Sequence, residues 1–312
     1  MSRCALWKRT WKGQLQARIA SALFALGFLS FAPAVLTVEA QGSGGLQNHI
    51  LGIGNCPPWN PQSIEVCKHS LEKVVSALAP RVDAGPENIH LLINEGASAA
   101  ALKRKATELA SNLGPEDRLL IYANLPLGQA DAGQEDEKNG YVLELWAGKK
   151  PETTSGAISE GTWISAPAFA AMIHTIPAAE AILILDTNNS HAINMHLFDK
   201  NSVDHKDRPE ALISSSGTGQ TANYSADRTI SLFAKHLAQA LSETEGSLQE
   251  VMNVAASGTR QAAIPICAEL KEHQGQSVEK AIDCTQVPEV HDPDALLSRT
   301  ILIPLSESEI SQ

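Results

Sequence analysis

Apolar positions along the chain follow two rhythms. Short, nearly unbroken apolar runs occupy 49–53, 89–93, 118–122, 141–146, 181–185 and 211–214. Runs of this length without alternation are what strands buried on both faces require. Between several of them the spacing changes. Ile64, Leu71, Val74, Val75 and Leu78 recur at helical intervals, as do Leu102, Ala106, Leu109 and Leu113, and further helices are predicted over 231–241 and 247–256. Strand, helix, strand at this rhythm predicts an α/β fold: a mainly parallel sheet with helices on both faces.

Polar segments punctuate the pattern. Pro115, Glu116 and Asp117 mark the turn into the third run, and 128–140 is a polar loop before the fourth. From 267 to 294 the chain is polar and weakly periodic, with a late apolar run at 301–305, and 266–312 is read as a polar C-terminal extension. No internal repeat is visible.

The first forty residues belong to another class. Arg3, Lys8, Arg9, Lys12 and Arg18 precede an apolar run from 19 to 38 and the small-residue exit Val38, Glu39, Ala40. That order is the layout of a secretory signal peptide, with a mature start near Gln41, a flexible joint over 41–46 and the main domain over 47–265. The alternative is an uncleaved inner-membrane anchor, because the run is nearly long enough to span a bilayer. Removing 1–40 takes away five basic residues and one acid and moves the net charge from −11 to −15. So acidic a surface argues against nucleic acid as a partner, and makes a membrane one only if the leader stays.

Export changes the reading of the cysteines. Cys56, Cys67, Cys267 and Cys284 are an even set beyond the leader, which suggests disulfides. Three pairings are possible, and proximity favours Cys56 with Cys67 and Cys267 with Cys284. A zinc site is the rival, but no pair has the short spacing of zinc ligands and no histidine stands at a matching interval, so neither metal nor cofactor is expected.

The stretch "AILILDTNNSHA", 181–192, runs from a buried-looking strand into an acid and small polar groups. Ligands gather at such carboxyl ends in open α/β sheets. Together with "HILGIGNCPPW", "PENIHLLINEGASAAALKRKATEL", "GPEDRLLIYANLPLGQ" and "ALISSSGTGQTANYSADRTISLFAKHLAQAL", in that order, it resembles the caspase and metacaspase superfamily of cysteine peptidases from about His49 to about Arg260. The resemblance implies a caspase-like three-layer sandwich around a six-stranded sheet. It also implies where a catalytic dyad would stand. The cysteine's position holds Asn188, and the histidine's holds Pro126 or, with a one-residue shift, Leu127.

Those residues cannot perform the family's chemistry. Acyl transfer needs a thiolate to attack the carbonyl and an imidazole to protonate the leaving amine. An amide, a pyrrolidine and an isobutyl group do neither. The resemblance also assigns Asp186 to the pocket for a basic residue, places Tyr224 where metacaspases carry a second acid, and lets Asp227 serve there with a three-residue shift. Asp186 has an alternative role as an acid satisfied by donors at a strand end. Ser190 beside His191 invites a serine mechanism, but sequence neighbours project apart and no third orienting group is evident. His191 and His196, five apart, do not share a helical face. The expectation is an exported, inactive caspase-like protein that binds a peptide or protein partner. Its rival is an active hydrolase with a non-standard constellation.

Overall fold

The computed structural model describes residues 46–59, 64–129, 140–198, 208–274 and 284–304. All belong to one compact unit, Gly44–Gln312. The leader, most of the joint and much of the C-terminal segment lie outside the described residues.

The order is β1 (Gln47–Gly54), α1 (Ile64–Arg81), β2 (Ile89–Ile93), α2 (Ala99–Asn112), β3 (Asp117–Asn124), β4 (Leu127–Gln129), β5 (Tyr141–Leu143), α3 (Thr154–Ser159), β6 (Ile164–Ser165), α4 (Ala166–His174), β7 (Glu180–Asp186), α5 (Asn194–Leu197), β8 (Glu210–Ser214), α6 (Leu232–Glu243), α7 (Leu248–Gln274), β9 (Glu289–His291) and α8 (Leu296–Arg299). Six strands form one sheet in the order β2-β1-β3-β7-β8-β9. The first five are parallel and β9 returns antiparallel along β8.

Alternation along each strand sends side chains to two cores. Leu51, Ile53, Leu119, Ile121, Leu183 and Leu185 meet Leu102, Ala106 and Leu109 of α2 and Phe169 and Ile173 of α4. Ile50, Leu120, Tyr122, Ile182, Ile184 and Ile213 meet α1, α6, α7 and α8 on the other face. The molecule is therefore a three-layer α/β sandwich, as the apolar runs predict. The helices start where capping chemistry permits: the hydroxyls of Ser98, Ser165 and Ser231 accept amides of the first turns of α2, α4 and α6.

Two glycines set the depth of α1. A β-carbon on Gly52 would stand 2.6 Å from Leu71 Cδ1, and one on Gly54 would stand 3.0 Å from the Cys67 carbonyl oxygen. Leu71, fully buried, occupies the space those side chains would fill.

Two sheet assignments from sequence need correcting. The run at 141–146 supplies no central strand: β5 covers its first three residues and pairs antiparallel with β4 and β6 in a separate small sheet. The sixth strand of the main sheet is β9, from the polar segment read as an extension. It has only three residues and one covered side, so it carries no apolar run.

Both cysteine pairs are joined, Cys56 to Cys67 and Cys267 to Cys284, as proximity favours. Among the described residues no helix is long and apolar enough to cross a membrane.

Candidate binding site at the strand ends

β1, β3 and β7 are neighbours and end level with one another: Gly54 pairs with Asn124, and Asn124 with Asp186. A cavity of about 450 Å³ opens beyond those ends. The residues following each strand build it: Cys56, Pro57 and Trp59 after β1, Leu125 and Pro126 after β3, Thr187 and Asn188 after β7. Thr221, Ala222, Asn223 and Tyr224 close one side, and Glu144 lines another. Asn188 and Pro126 thus share one cavity.

Asp186 is the buried acid of this site, 3 % exposed. Its Oδ2 accepts the Tyr122 hydroxyl (2.8 Å), the Asn124 amide (2.8 Å) and the Ser231 hydroxyl. Ser231 is itself fixed, because its amide donates to the Ser70 hydroxyl (2.9 Å), which donates to the Val66 carbonyl of α1 (2.7 Å). Oδ1 accepts no hydrogen bond among the described residues. Burial raises the Asp186 pKa above the ordinary carboxylate value, against the pull of the Ser231, Tyr122, Asn124 and Ser215 donors. The Ser215 hydroxyl acts from nearby while donating to the Thr187 carbonyl (3.3 Å). Burial, followed by the charge of Asp186, likewise pushes the phenols of Tyr122 and Tyr224 up.

Glu144 supplies a second carboxyl. Its backbone is clamped: its carbonyl accepts the Asn55 amide (2.7 Å) and its N–H donates to the Pro126 carbonyl (3.0 Å). Burial raises its pKa too, opposed by the charge of Lys150. No Lys, Arg or His is among the described cavity residues.

Asn188 and Leu127, two of the positions that the resemblance assigns to a dyad, make structural contacts. Asn188 Oδ1 accepts the Ala222 amide (2.7 Å), and Asn189, in the left-handed region at φ 54°, accepts the Gly219 amide (2.5 Å). These two side chains hold the 217–223 loop over the cavity. From below, Gln286 accepts the Asn223 amide (2.8 Å) and donates to the Ser215 carbonyl (3.1 Å). Leu127 lies in β4, with its backbone paired to Leu143.

Ser190 and His191 do not form a couple. Ser190 is fully buried, its hydroxyl donating to the Ser216 carbonyl (3.1 Å) and accepting the Ser216 amide (3.0 Å). His191 faces Glu289 at 3.4 Å. Asp227, the shifted candidate for a second acid, is absent from the described lining of this cavity. Its carboxylate accepts the Ser225 hydroxyl (2.5 Å) and the Thr229 amide (3.2 Å) and hydroxyl (2.9 Å), and it lines a separate cavity with His69, Lys73 and Lys235. Tyr224 does line the site. Sequence reasoning missed Asn124, Glu144 and Ser231. The Ser before an apolar helix signals a cap, but nothing local signals its second bond.

No family model matches the chain, and no curated protein does. Solved structures do. Protein GSU0716 from Geobacter sulfurreducens superposes with a TM-score of 0.54 at 15 % identity, covering 82 % of this chain and 100 % of that one. Caspase-1 from Spodoptera frugiperda gives a TM-score of 0.43 at 9 % identity, covering 79 % of this chain and 88 % of that one. At 15 % identity the first is a likeness of fold alone.

Proposed function

We propose that this chain is an exported caspase-like protein without the catalytic dyad, and that it binds a peptide through a basic side chain rather than cutting it. The observation that carries this reading is the pairing of Asp186 with its surroundings. A buried carboxyl with a free acceptor lines a cavity of about 450 Å³, a volume suited to a small ligand. Three donors converge on the other oxygen and work towards its ionised form against the burial that raises its pKa. A cation entering the cavity supplies the countercharge that the described lining lacks.

The same geometry speaks against turnover. The Asn188 amide is engaged with Ala222, and Pro126 has no proton to give. The two disulfides fit a protein that works in an oxidising compartment.

The test is calorimetry and a cleavage assay on one purified protein. Blocked hexapeptides carrying one Lys or Arg among alanines should bind and remain intact, and Asp186→Asn should abolish binding. All-alanine peptide binding equally well would sink the cation reading. Hydrolysis lost on Asn188→Ala would overturn the claim of inactivity.

A further inference from the structure

Two acids share the cavity, and they occupy different walls. Asp186 ends β7, whereas Glu144 follows β5 of the small sheet and is held between Asn55 and Pro126. Their burial differs: Asp186 is nearly inaccessible and Glu144 is half-buried. The Glu144 carboxylate feels the charge of exposed Lys150 and is otherwise open to a ligand, and Asp186 retains an orphaned oxygen. A ligand with one positive charge satisfies only one of these acids. Closing the cavity over it would strip water from the other, with only the solvent-screened charge of exposed Lys150 to offset the loss at Glu144, and a desolvated carboxylate is costly. A ligand with two positive charges removes that cost. Trp59 and Tyr224 on the same lining offer aromatic faces against which the stems and heads of such side chains pack.

Resting on the cation-binding reading above, we propose that the ligand is a dibasic peptide: two Lys or Arg side chains within three residues, one meeting Asp186 and the other Glu144.

Calorimetry decides it with four blocked hexapeptides: all-alanine, one central Lys, Lys-Lys, and Lys-Ala-Lys. At least one dibasic peptide should bind about tenfold tighter than the monobasic one, the scale set by a close charge pair across an interface. Glu144→Gln should erase that advantage, bringing dibasic affinity down to that of the monobasic peptide on the same variant. Glu160→Gln, which removes the same charge from an exposed site, should leave the advantage intact. Equal affinity for mono- and dibasic peptides would overturn the proposal and leave the cation reading standing. An advantage that survives Glu144→Gln, or falls equally with Glu160→Gln, would trace it to the general negative field and overturn the proposal as well. Binding by none of the four would remove the underlying reading, and this one with it.

Discussion

Replacing Cys56 and Cys67 together by alanine opens a loop that spans 11 residues, and replacing Cys267 and Cys284 opens one of 17. Because closure entropy grows only with the logarithm of loop length, each crosslink stabilises the fold by about 3 kcal/mol. The two lie in separate parts of the chain, so their losses should add to about 6 kcal/mol, comparable with the whole stability of many domains. Urea denaturation should show each double variant unfolding roughly 1–1.5 M earlier, at a slope of about 2–3 kcal/mol/M. Affinity separates them. Cys56 and Cys67 line the cavity, and the loop between them carries Pro57 and Trp59 to its wall. Opening it should weaken a basic peptide about tenfold through lost preorganisation. Cys284 touches the site through its carbonyl, which accepts the Asn223 amide (3.1 Å), and alanine keeps that carbonyl. The second variant should therefore bind normally. Equal affinity in both variants, or a stability loss under 1 kcal/mol in either, would refute this account.

Arg81 is buried and donates to the carbonyls of Leu241, Thr244 (3.0 Å) and Ile303 (2.6 Å), so Arg81→Met should cost about 3 kcal/mol or more, read in the same urea experiment. The folded pKa of Asp186 lies above its unfolded value near 3.8, so the native state holds this proton more tightly than the unfolded chain does, and the contribution of Asp186 to stability falls as pH rises from about 4 through the folded pKa. Asp186→Asn should flatten that fall and equal or exceed wild-type stability at pH 7; parallel pH profiles for the two proteins would refute the assignment. Asn188→Cys should leave peptide cleavage at background, because a thiol without an imidazole lacks the leaving-group acid, and measurable turnover in this single variant would contradict it.

The five parallel strands were legible because their burial on both faces writes itself as runs such as Leu119–Ile121 and Ala181–Leu185. Strand β9 was not. Its residues Glu289, Val290 and His291 gain their place by pairing with β8, 75 to 79 residues earlier, and half-exposed Val290 gives no pattern to read. The segment at 141–146 misled for the opposite reason: apolar enough for a central strand, it turns at Glu144 to reach the site. Of the site itself, Asp186 announced itself at a strand end. Its donors come from positions 45 to 64 residues away in sequence, a relation that one chain read linearly does not display.

Ser231 performs two tasks with one hydroxyl: it donates to Asp186 and accepts the Ala234 amide (2.9 Å) at the start of α6. Hydrogen bonds in series polarise one another, so an ionised acid makes that oxygen a better acceptor and tightens the helix start. Charge in the cavity is thereby transmitted to backbone order. The Ala234 amide should then serve as a built-in gauge, its exchange with solvent deuterium slower when the acid is ionised and faster when the acid is protonated. The charge state of Asp186 would thus be read from a backbone amide, with no label attached and no side chain altered.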